Sequence, residues 1–107
     1  MFDYSNGQVL CVASAYEQKF YFNDEFSRLP SGIKEELQIM CVLFTEDVGG
    51  IIIFAFDPEG NLEIRTEHQE DDYLYDDIGA VLKVKEMQRE RRELFANLEE
   101  YYKMFHK

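Results

Sequence analysis

The chain has no tryptophan, only two cysteines, two prolines and two histidines, and 11 Lys and Arg against 22 Asp and Glu, for a net charge of −11 over 107 residues. Each shortage excludes something. The two cysteines, Cys11 and Cys41, give no sign of an exported, disulfide-dense scaffold, and no CxxC is present to suggest a zinc ribbon or a thioredoxin-type motif. Neither histidine sits in an HExxH pair, and no glycine belongs to a P-loop or a dinucleotide fingerprint. No unbroken apolar run exceeds the six residues of Ile51–Phe56, which is far too short to cross a bilayer, so no membrane span is expected. No basic stretch followed by an apolar one opens the chain, so no signal peptide is expected either. The scarcity of bases argues against nucleic acid and acidic membrane surfaces as ligands. It suits a cytoplasmic protein or one with a basic protein partner.

What is present is an apolar fraction of 46%, with nine Phe and seven Tyr to fill a core. That is enough for one folded domain spanning residues 1–107 and too much for a disordered chain. Charge is split along the chain. Residues 1–77 carry 17 acids and 4 bases, whereas residues 78–107 carry 5 acids and 7 bases. An acidic body with a mixed-charge helical segment follows from that division. Both cysteines lie in apolar runs, which reads as two reduced core thiols, although sequence alone does not exclude a disulfide.

Met1–Gln8 is polar and turn-rich around Ser5-Asn6-Gly7. Residues 9–16 fit either a helix face or a buried strand, and strand is favoured because the run is short. Lys19–Asn23 alternates, with Phe20 and Phe22 on one side. Ser31 is the expected N-cap of a helix along Ile33, Leu37, Met40, Cys41, Phe44 and Val48, which Gly49-Gly50 ends. Ile51–Phe56 suits a central strand, Asp57–Asn61 a turn, and Leu62–Glu67 a half-exposed strand. A long final helix is expected from about Asp76 to Phe105, its seam running through Ala80, Val84, Met87, Arg91, Leu94, Leu98, Tyr101 and Phe105. A short strand at Gly79–Lys85 is the competing assignment there. The fold class is therefore α+β in the order ββαββα, a mainly antiparallel sheet packed on helices.

The long helix carries the main functional expectation. At 1.5 Å per residue its roughly 28 residues span about 42 Å, against a radius of gyration near 13 Å for a domain of this size. It should overhang the domain, and a second copy is the simplest cover. A homodimer follows, with Arg91, Leu94, Leu98, Tyr101, Tyr102 and Phe105 as its interaction surface. Arg91 on the seam would set register.

Other constellations are weaker. The acidic loop at residues 67–77 offers Glu67, His68, Asp71 and Asp72 to a divalent ion, without EF-hand spacing; the alternative is a solvated loop whose last acids cap the next helix. Either cysteine with His68 or His106 would make a nucleophilic dyad, but both thiols read as buried and no local motif supports one. Phe20-Tyr21-Phe22 could stack bases, yet the surrounding charge is wrong and core packing explains Phe20 and Phe22 better. Lys83–Arg92 is the one basic patch; it could touch nucleic acid, pair with the acidic body of a partner subunit or with its own acidic loop, or form spaced ion pairs on a solvated face, the last being the simplest.

The stretches Ala15–Lys19, Leu37–Glu46 with Gly49-Gly50, and Asp71–Gly79 resemble a family of small Gram-positive bacterial proteins classed as a domain of unknown function. The resemblance covers nearly the whole chain. It implies a cytosolic, single-domain protein and brings no catalytic residue or cofactor. The residues themselves favour a non-enzymatic, dimeric protein-interaction or regulatory module. Two other classes stay open: a metal-dependent enzyme or sensor using residues 67–77, and an acidic nucleic-acid mimic that blocks a basic protein.

Overall fold

Val9–Val12 becomes strand rather than helix. The computed structural model, which describes residues 8–105, has β1 at Gln8–Ser14 and β2 at Lys19–Phe22. Next come α1 at Ser31–Asp47, β3 at Ile51–Phe56 and β4 at Leu62–Glu67. Two further helices close the chain, α2 at Asp77–Glu90 and α3 at Arg92–Phe105. The turn read at Ser5-Asn6-Gly7 and His106 lie outside the described residues.

The α+β class holds. The four strands form one antiparallel sheet in the order β2-β1-β3-β4. The β-branched run of β3 takes a central place, with Ile52, Phe54 and Phe56 in the main core and Ile53 and Ala55 buried on the other face. Register pairs Cys11 with Phe54 and Ala13 with Ile52, so these side chains point the same way. A register shift between Val9 and Cys11 inserts Leu10 as a bulge, which lets two consecutive residues, Leu10 and Cys11, both enter the core.

α1 lays Leu37, Met40, Cys41 and Phe44 against the sheet, as its periodicity requires. Pro30 rather than Ser31 holds its N-cap position and gives no side-chain hydrogen bond. Its C-terminal stop is as expected, with Gly49 at φ 90° and Gly50 at φ 69°. Between β2 and α1 the chain makes a single 3-10 turn, Asp24–Phe26, which Asn23 caps by accepting from the Glu25 amide. That turn buries Phe26 completely, and Leu29 follows it into the core. Gly79–Lys85 is helical, capped by Asp76, whose carboxylate accepts from the Gly79 amide at 2.8 Å.

The single long helix of the sequence reading is instead two. Arg91 leaves helical geometry at φ −113° and ψ 28°, although its amide still bonds Met87 and its carbonyl still accepts from Phe95. No proline or glycine sits there. The bend follows from where each half packs: α2 lies beside α1, and α3 lies on the β3–β4 end of the sheet. One straight rod cannot keep its apolar stripe on both. Nor does the stripe overhang. Ala80, Val84, Met87, Leu94, Phe95, Leu98, Tyr101 and Tyr102 all pack on the chain's own core, in a molecule 41 × 29 × 22 Å.

Candidate functional site

The interaction surface expected along the C-terminal helix is mostly interior. Leu98 is 1% exposed, Leu94 and Tyr101 are half-buried against the core, and Tyr102 stacks on Phe56. Leu98 is therefore a core residue and contributes no surface. Only Phe105, 57% exposed beside Tyr101, and Arg91 remain on the outside. Arg91 pairs within the chain: its Nε sits 3.2 Å from Glu36 Oε2 on α1. Most of the seam behind the expected homodimer is thus covered by the chain's own core, with Phe105 left exposed at its end.

The acidic loop is built rather than loose. The Tyr16 hydroxyl, from the β1–β2 turn, donates to Asp72 Oδ2 at 2.6 Å and accepts from the Gln69 amide at 3.0 Å. Partial desolvation, then the bond to Asp72, raises the Tyr16 pKa above its ordinary value, so the phenol keeps its proton. The other Asp72 oxygen accepts from the Leu74 amide at 3.1 Å. His68 stacks on Tyr75 at 4.4 Å, with its Nε2 3.8 Å from Asp77 Oδ1. Asp72 and Asp76 are thus spent on the loop and on the α2 cap, while Glu67 and Asp71 stay exposed. Among the described residues no group of three or more His, Cys, Asp or Glu side chains is placed to hold a metal ion.

Two concavities were not legible in the sequence. The larger, about 540 Å³, lies between the β1–β2 turn and α1. Ala13, Phe20 and Val42 give it apolar wall, and Gln38, Lys19 and Glu46 give it polar rim. The smaller, about 180 Å³, is a slot between α1 and α2, lined by Met40, Leu43, Phe44 and Met87 with Asp47, Lys83, Glu86, Glu90 and Arg91 around it.

The slot has a definite construction. Lys83 Nζ meets Asp47 Oδ2 at 3.2 Å toward one end, and Arg91 meets Glu36 toward the other. Pairing 47 with 83 and 36 with 91 makes the two helices antiparallel. The ion pairs bridge the two helices at these points and leave the space over Met40 and Met87 open. Of the charges named, both bases are paired, which leaves Glu86 and Glu90 unmatched on the α2 side. Lys83 feels them: the bond to Asp47 and its charge come first in raising its pKa, and Glu86 and Glu90 add to it. Leu43, 53% exposed, opens the slot to solvent, and Ile39, 57% exposed, stands one turn away on the same helix. Leu82 on α2 is 62% exposed.

A family model described as "Family of unknown function (DUF6145)" matches residues 7–107, and the chain belongs to that family. No curated protein and no solved structure matches the chain.

Proposed function

We propose that this family member is a non-enzymatic protein-binding module, and that the slot between α1 and α2 receives a basic, amphipathic helical segment of another protein. The observation that carries this reading is the slot itself: two helices clasped at both ends by ion pairs, with an open methionine floor between them. Its size decides against a free small ligand. Small-molecule sites run to roughly 300–1,000 Å³, whereas about 180 Å³ takes one or two anchoring side chains. Methionine adapts its shape to such anchors, and a helix laid in a groove is a recurring recognition mode. Exposed Leu43 and Ile39, one turn apart on α1, extend the apolar surface beyond the slot. Glu86 and Glu90, on a chain of net charge −11, supply attraction for a basic partner. The same charges oppose a symmetric dimer through this face, which would set acid against acid.

The test is fluorescence anisotropy with a labelled Lys- and Leu-rich amphipathic peptide of about 18 residues, a length that gives roughly five helical turns. Micromolar binding is expected, weakened at least about tenfold by Leu43→Asp at unchanged melting temperature. No binding at high micromolar protein would end the proposal. Binding abolished by salt but indifferent to Leu43→Asp would favour the acidic-mimic reading, since mimicry needs charge and no slot. A calcium- or magnesium-dependent rise in melting temperature would instead favour an ion held at residues 67–77.

A further inference from the structure

Cys11 on β1 and Cys41 on α1 are thirty residues apart in sequence and 3.9 Å apart from Sγ to Sγ. Both are free and fully buried. The bulge at Leu10 and the register opposite Phe54 turn Cys11 toward the helices, and the α1 periodicity turns Cys41 toward the sheet. We propose that Cys11 and Cys41 are a modification site: an internal disulfide, closed by a peroxide, that ties α1 to β1. The proposal stands apart from the slot between α1 and α2 and needs no partner.

A disulfide bond is about 2.0 Å long. Starting from 3.9 Å, the two sulfurs must approach by about 1.9 Å, the difference between those values. Closure therefore calls for side-chain rotation and a shift of α1 toward β1. The larger cavity lies near the pair, with Ala13 two residues after Cys11 on β1 and Gln38, Val42 and Thr45 from the α1 turns next to Cys41 in its wall, but neither sulfur lines it. Both are fully buried, so a small oxidant reaches them only when the fold opens locally.

The chemistry balances. One thiol loses its proton and attacks an oxygen of hydrogen peroxide, the O–O bond breaks, and a sulfenic acid and water form. The second thiol attacks that sulfur and expels a second water as the S–S bond closes. Two thiols lose two electrons, and one peroxide becomes two waters. In the closed fold the pair is slow to react: the neighbouring Cys41 thiol and then burial push the Cys11 pKa well above the ordinary range. Oxidation is therefore gated by local opening.

The experiment exposes the full chain to millimolar hydrogen peroxide under native conditions, quenches free thiols with N-ethylmaleimide in denaturant, and maps peptides without reduction. The expected product is a monomer lighter by two hydrogens, with Cys11 and Cys41 peptides joined, reversed by dithiothreitol. Its melting temperature should rise by on the order of 10 °C, because the bond restrains the unfolded chain. Cys41→Ala should show no such rise. Over-oxidation of either residue, a disulfide between chains, or thiols that survive conditions oxidising the urea-unfolded protein would overturn the proposal. So would a thermal gain that persists in Cys41→Ala.

Discussion

Tyr102 stacks on Phe56 with ring centroids 4.3 Å apart and 15° between planes. Phe26 completes a three-ring cluster, 5.5 Å from Phe56 and 6.1 Å from Tyr102. The cluster joins a 3-10 turn, a central strand and the last helix, so it fixes the position of α3. Tyr102→Ala is expected to cost about 3 kcal/mol, toward the low end for a large aromatic because the ring is only partly buried. Urea unfolding followed by circular dichroism measures it, and a loss under about 1 kcal/mol would mean that α3 is held elsewhere.

Gly49 and Gly50 look alike in sequence and differ in space. Both have positive φ. A Cβ on Gly49 meets nothing within 4 Å, whereas one on Gly50 lies 2.6 Å from the Glu67 carbonyl oxygen and 2.6 Å from the Tyr75 ring. Gly49→Ala should therefore cost only the left-handed conformation, about 1–2 kcal/mol. Gly50→Ala should cost at least about 2 kcal/mol more, since backbone oxygen cannot step aside as a flexible side chain can. Equal losses in chemical denaturation would show that the Glu67 carbonyl and Tyr75 do not approach Gly50 as placed.

Tyr16 and Asp72 tie the β1–β2 turn to the acidic loop. Tyr16→Phe removes one donor and one acceptor at once. A loss of about 1 kcal/mol is expected, together with faster hydrogen exchange at the Gln69 amide, whose acceptor disappears. The pH dependence follows from the raised Tyr16 pKa. Near neutral pH the phenol is protonated in both states and its contribution is whole. As pH climbs past about 10, the ordinary tyrosine value, the unfolded chain ionises first and stability falls. Tyr16→Phe should remove that share of the alkaline loss. An identical alkaline decline in both proteins would contradict the bond.

Features written in local pattern were legible, and features written in tertiary packing were not. Ile51–Phe56 announces a buried strand because β-branched residues fill it and Pro58 and Gly60 mark the turn that follows. α1 announces itself by its spacing, and Gly49-Gly50 by their place at its end as its stop. The bend at Arg91 has no such mark: it exists because α2 answers to α1 and α3 to the sheet. A seam of apolar residues looks the same whether a second chain or the chain's own sheet will cover it, which is why Leu98 read as surface. Phe26 and Leu29 were missed as core because one 3-10 turn is too short for a period. The Cys11–Cys41 contact and the methionine slot depend on how α1 lies against β1 and α2, a relation between distant segments.

The exposed end of α3 separates the two ideas of how this chain associates. Leu98 and Phe105 lie seven residues apart, yet one is enclosed and the other faces solvent. Leu98→Asp would bury a charge without a partner and is expected to exceed about 4 kcal/mol, enough to unfold a domain of ordinary stability. Phe105→Asp should cost about 1 kcal/mol or less, because it gives up little beyond the ring contact with Tyr101. Since the remaining apolar stripe covers the chain's own core and the net charge is −11, light scattering is expected to give 12.7 kDa for the intact chain. Phe105→Asp should give the same mass. An intact chain near twice that mass, reduced to one copy by Phe105→Asp, would make the end of α3 a self-association surface after all. If Leu43→Asp had that effect instead, the slot between α1 and α2 would be receiving a second copy rather than a basic helix.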